Sequence, residues 1–194
     1  MWIRKKIQLK NCDIIAFTPR TFPQRVIAYF SGKFCHIGFV IKGEKLKQVL
    51  DRLFKEEANR ISINDWYVVS SSVAYRGIGW ERLKDIAGRY KGFWIFTIKD
   101  LSYLEKMSIY SYFLGSVGKE YSLWQIIRIF FCILFNITKK VSGKQEMGTL
   151  ICSEYVGSIL SLLDDYKGKS LAYATPDDIV NGFERLELVG VSEK

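Results

Sequence analysis

The sequence predicts an α+β fold, an antiparallel sheet packed against helices, on three observations. Short apolar, β-branched segments cluster before Asp100, long helical periods follow it, and strands and helices do not alternate as a parallel βαβ order requires. With 194 residues, 48% of them hydrophobic, the chain reads as one domain over 1–194 that can bury a core.

Lys10-Asn11-Cys12-Asp13 is a polar turn leading into a buried strand, Ile14-Ile15-Ala16-Phe17, which Thr18-Pro19-Arg20 ends. Residues 22–31 have the pattern of a short amphipathic helix. Residues 34–41 form a second apolar strand between Gly32-Lys33 and Lys42-Gly43. From Glu44 to Ala58, Leu46, Val49, Leu50, Leu53 and Phe54 recur at helical spacing. Trp66 to Ser71 is a third strand, Gly77 and Gly79 mark a turn, and Trp80 to Ile86 is a connector or short helix. Gly92 to Ile98 is a further strand. Helices are predicted over 101–115, over 123–137 and, after a polar loop, over 152–163.

Composition excludes some classes of protein. A 15% aromatic content and three prolines argue against disorder, and a single histidine, His36, excludes a multi-histidine metal site. No metal or organic cofactor is implied. The 29 basic against 20 acidic residues leave a net charge of +9, a preference for anionic surroundings such as a membrane surface or wall polymer. The basic residues are scattered, as on a solvated surface, and no nucleic-acid motif accompanies them, so nucleic acid is an unlikely partner. Cys12, Cys35, Cys132 and Cys152 form no CxxC pair and read as free thiols of a reducing compartment. Gln8, Lys10, Asn11 and Asp13 interrupt any signal-like apolar run, and Ile126 to Phe135 is shorter than the span of about 20 residues that a bilayer requires. A cytoplasmic protein is therefore expected. The Ile126 to Phe135 segment is either a core helix or, flanked by Lys139 and Lys140, an interfacial one.

One histidine makes the search for chemistry short. Cys152 is the best nucleophile for it to activate: it stands where a helix begins, with Ser153 and Glu154 in the first turn. Free N–H groups and the positive end of the helix dipole favour thiolate there and can hold an oxyanion. Cys35 adjoins His36 on a strand, points to the opposite face and cannot pair with it. Cys12 and Cys132 read as small core residues.

The order of motifs resembles the circularly permuted branch of the papain-like NlpC superfamily, the YiiX-like hydrolases. Cys12-Asp13-Ile14-Ile15-Ala16-Phe17 is similar to its Gly-Asp-hydrophobic strand, and Cys35-His36-Ile37-Gly38-Phe39-Val40 to its Ser-His-hydrophobic-Gly strand. Gly118-Lys119-Glu120-Tyr121, Ile151-Cys152-Ser153-Glu154 and Thr175-Pro176-Asp177-Asp178-Ile179 are similar to its last three motifs. Histidine precedes cysteine, the permuted order.

The resemblance implies a permuted papain-like fold and a thiol hydrolase of the amidase, peptidase or acyl-transfer class, acting on a peptide-like or acyl substrate. Cys152 would be the nucleophile, His36 the general base and then acid, and Tyr121 would line the substrate site. The family's orienting Glu, at the end of the strand after the histidine, is replaced: Ser70 aligns best, Ser72 is the alternative on the same face, and Glu81 or Asp65 could reach in from elsewhere. A serine cannot stabilise an imidazolium by charge. The alternative reading is therefore a weak or inactive binding module of the same fold, holding an acyl or amino-acid ligand.

Overall fold

A computed structural model describes residues 8–72, 76–120, 151–163, 171 and 174–193 of the protein. The strands are β1 (Ile14–Thr18), β2 (His36–Lys42), β3 (Trp66–Ser72), β4 (Gly77–Arg82), β5 (Gly92–Ile98) and β6 (Leu186–Glu193). The helices are α1 (Phe22–Ser31), α2 (Gly43–Leu50), α3 (Lys55–Asn59), α4 (Leu83–Ala87), α5 (Tyr103–Ser116), α6 (Cys152–Leu160) and α7 (Pro176–Gly182). The strands form one sheet in the order β4-β3-β2-β1-β5-β6, each antiparallel to its neighbours. The α+β class follows directly from this arrangement.

The central strands are buried on both faces, which is why β1 and β2 read as continuous apolar runs rather than alternating ones. One face carries Ile14, Ala16, Ile37, Phe39, Ile41 and Val69, and it packs against Leu46 of α2, Phe113 of α5 and Tyr155 and Val156 of α6. The other carries Ile15, Phe17, Val40, Val68 and Ile95 under Ile86 of α4. Successive side chains alternate faces, so His36 and Ser70 belong to the α4 face. At about 25 cal/mol per Å² of apolar area, the larger cluster dominates the fold's stabilisation.

Several sequence expectations are corrected. Gly77 and Gly79 are strand residues, not a turn: β4 pairs with β3 from Tyr67↔Arg82 to Ser72↔Gly77. Glycine is needed at 77 because a Cβ there would lie 2.2 Å from the Lys119 carbonyl oxygen, where Glu120 bridges to the strand. The helix expected over 44–58 breaks in two. Leu53 turns out to solvent, and the turn at 51–54 carries Ala58 back into the core. β6 was not anticipated; it pairs with β5 from Ile98↔Leu186 to Gly92↔Glu193, with a register shift at Ile95/Phe96. The predicted 123–137 helix, with Ile126 to Phe135 and Cys132, and Tyr121 lie outside the described residues. Among the described residues no helix is long and apolar enough to cross a membrane.

Cys12, at the position where the similar Gly-Asp motif has glycine, adopts φ 74, in the left-handed region that glycine enters without strain. Asp13 beside it is buried and ties the sheet together: its carboxylate accepts from Lys10 N–H and from the Thr97 hydroxyl, each at 2.8 Å.

Candidate active site

β2 begins at His36, and the loop before it is fixed from the far end of the chain. The Asp177 carboxylate accepts from Phe34 N–H at 2.8 Å and also from Lys33 N–H. Asp177 is presented by α7, whose N-terminus is closed by a Thr175/Asp178 capping box and started by Pro176. Gly32, at φ 99, lets the backbone approach: a Cβ would sit 2.7 Å from Asp177 Cγ. The Thr-Pro-Asp-Asp motif therefore holds the loop that leads into His36.

The His36 imidazole is buried alongside two aromatic rings, Phe17 and Tyr90, which stack on each other at 4.6 Å. Tyr90 stacks parallel to it at 5.9 Å and 2°, and Phe17 packs at 5.9 Å and 29°. Its Nε2 is hydrogen-bonded to Ser70 Oγ at 3.1 Å, a fully buried contact. Gly38 makes room for that contact: a Cβ on it would lie 2.7 Å from both Val69 O and Val68 Cγ1 and 3.1 Å from Ser70 Cβ. Any side chain at 38 would push β3, and Ser70 with it, away from the ring. Burial, seconded by the Arg89 guanidinium, pushes the imidazole down to about 4, so the ring is neutral at ordinary pH.

Cys152 opens α6. Ile151 at the N-cap has no side-chain acceptor, and the thiol itself takes the free N–H groups of Ser153 and Cys152. It also accepts from the backbone N–H of Ile37, the residue after His36. A charge on Cys152 would act on both Tyr90 and Cys35, so these three groups share one neighbourhood. Among the described residues no hydrogen bond links the thiol to the imidazole; Tyr90 packs against the imidazole, and a charge on Cys152 would be felt at its hydroxyl.

The thiolate expected at this helix terminus is corrected. Burial outweighs the N–H donors and pushes the Cys152 thiol up to about 11. Cys35 is pushed up to about 12 by burial and by the nearby Cys152, and its thiol donates to the Phe17 carbonyl at 3.4 Å. The pair thus rests as neutral thiol and neutral imidazole rather than as an ion pair.

The structure brings His36 to Ser70 and sets Cys152 against the start of β2. Of the carboxylates considered as substitutes, Glu81 pairs with Arg89, the guanidinium that acts on the imidazole, and Asp65 pairs with Arg82 and Lys84. Ser72 ends β3, half-buried. Sequence reasoning missed Tyr90 and Arg89, which reach the imidazole from the loop between α4 and β5. Nothing local in Arg89-Tyr90-Lys91 marks them; only the pairing of β1 with both β2 and β5 brings that loop over His36.

Neither the family models nor the curated proteins compared with the chain gave a match. Among solved structures, the crystal structure of metalloprotein YiiX from Escherichia coli O157:H7 matches with a TM-score of 0.61. The match covers 96% of this chain and 99% of that one, at 12% identity. The likeness is one of fold, and it agrees with the YiiX-like motif order seen in the sequence.

Proposed function

We propose that this chain, which shares its fold with YiiX, is a cysteine hydrolase of circularly permuted papain-like type that cleaves a peptide-like or acyl substrate. The observation that carries the reading is the buried Ser70–His36 hydrogen bond beside a helix that opens with Cys152. With Ser70 Oγ accepting, Nε2 keeps the ring proton and Nδ1 is left with the lone pair a general base needs. Histidine strand first and cysteine helix later supports the permuted order.

The reaction starts from neutral partners. As sulfur attacks the acyl carbonyl, His36 takes the thiol proton, and the helix N–H groups now on sulfur are close enough to turn to the oxyanion. His36 then protonates the leaving group, and a water activated by the same ring hydrolyses the acyl-enzyme. Among the described residues no carboxylate is hydrogen-bonded to the ring and Arg89 is nearby, so the imidazolium in this cycle is less stabilised than in a triad with an acid. Slow turnover follows. Tyr121 keeps its proposed place as a substrate-lining residue.

The YiiX structure is described as that of a metalloprotein. Among the described residues of this chain, no three His, Cys, Asp or Glu side chains gather as ligands. Among those described residues the imidazole is engaged by Ser70, and burial keeps the thiols of Cys35 and Cys152 protonated. The described donors do not fit a metal, and no step here runs through one.

The test is hydrolysis of a panel of peptide-amide, ester and thioester substrates. Cys152→Ala and His36→Ala are each expected to abolish turnover while leaving the melting curve of a folded protein. Turnover that survives Cys152→Ala would overturn the reading. The missing acid partner favours a second reading, a binding module; saturable binding of an acyl ligand with no turnover by wild type would select it.

A further inference from the structure

We infer that α1 is a docking element for an anionic membrane surface. Surface helices of soluble proteins turn their apolar face inward, but α1 is reversed. Its inner side is small or polar: Ala28 is buried, Gln24 Nε2 donates to the Arg89 carbonyl at 3.4 Å, and Ser31 Oγ donates to the Phe34 carbonyl at 2.8 Å. Its outer side carries Phe22, Val26 and Tyr29 at i, i+4 and i+7, with Ile27 beside them. Phe22 is 79% exposed and Tyr29 84%. Such an amphipathic helix, apolar side out, has the form that lies in a lipid interface.

Charge identifies the occupant. From Ile14 to Gly43 the chain has no Asp or Glu, while Arg20, Arg25 and Lys33 bracket the apolar side and are exposed. A second copy of a +9 protein would bring like charge to like charge, whereas an anionic lipid headgroup layer meets the basic rim and its acyl boundary takes the apolar side. The element is also coupled to the candidate site at both ends. Arg20 Nη1 donates to the Gly88 carbonyl at 2.8 Å, one loop from Tyr90, and the C-terminal end runs through Gly32 and Phe34 into His36. Docking α1 brings the loops flanking His36 to the surface, where an acyl substrate would be met.

The experiment is co-sedimentation with vesicles of phosphatidylcholine, with and without phosphatidylserine, at low and high salt. The expected result is binding to the serine-lipid vesicles alone, lost as salt rises. Phe22→Ser with Ile27→Ser should weaken it by at least about tenfold, and Arg20→Gln with Arg25→Gln by about fivefold per charge. These side chains are exposed, so both variants should keep the wild-type circular dichroism. Cys152→Ala should bind as wild type does, which separates docking from turnover. No binding by wild type, undiminished binding by the Phe22/Ile27 variant, or a wild-type dimer that the same substitutions dissociate would each overturn the proposal.

Discussion

Acidification should destabilise the protein through His36 in particular. Its imidazole sits at about 4 when folded and at 6.5 when unfolded, because burial and Arg89 disfavour the charged ring. The unfolded chain therefore binds this proton more readily. The stabilising contribution is full above 6.5, falls as pH drops through the window from 6.5 to about 4, and is lost below it. A difference of about 2.5 units at 1.36 kcal/mol each is about 3 kcal/mol, a large part of the 5–15 kcal/mol typical of a domain. The chain has one histidine, so a nitrogen-detected NMR titration reads this ring without ambiguity. Urea unfolding of wild type and His36→Gln across the same range isolates its share, since carboxylate titrations are common to both. The wild-type-minus-variant stability should shrink by about 3 kcal/mol on going from above 6.5 to below 4. A ring that titrates near 6.5, with a pH-independent difference, would refute the buried neutral imidazole and the mechanism built on it.

Three substitutions probe the supporting residues. Ser70→Ala leaves the buried His36 Nε2 without its partner; a loss of about 1–3 kcal/mol in transition-state stabilisation should appear as a lower kcat with KM unchanged, and Ser70→Thr should restore it. Gly38→Ala forces a Cβ to within 2.7 Å of Val69 O, so the melting curve should report a loss of about 1–3 kcal/mol. Asp177→Ala removes the acceptor for Phe34 and Lys33 N–H; a lower melting temperature and faster amide exchange at 33–34 should follow.

The strands β1, β2, β3 and β5 were legible because runs such as Phe39-Val40-Ile41 and Trp66-Tyr67-Val68-Val69 leave only a buried strand as their home. β4 was not, because its glycines are the usual mark of a turn, and only the Lys119 carbonyl approaching Gly77 gives them another purpose. α1 was legible as an amphipathic helix but not as one turned outward, since periodicity fixes a face and not what it faces. The Ser70–His36 bond was readable from strand alternation once the resemblance had supplied the role. The neutral thiol was not: a helix terminus can be read from Cys152-Ser153-Glu154, but the burial that overrides its dipole is a property of the packed fold.

The central claim, that Cys152 is a nucleophile activated by His36, is tested most directly by trapping the acyl-enzyme. Wild type is incubated with an activated acyl thioester, quenched in acid and measured by intact mass and peptide mapping. One acyl group is expected, on the peptide containing Cys152, formed much more slowly in His36→Ala and absent in Cys152→Ala. An adduct spread over Cys12, Cys35 and Cys152 alike, or one whose rate is indifferent to His36, would contradict it.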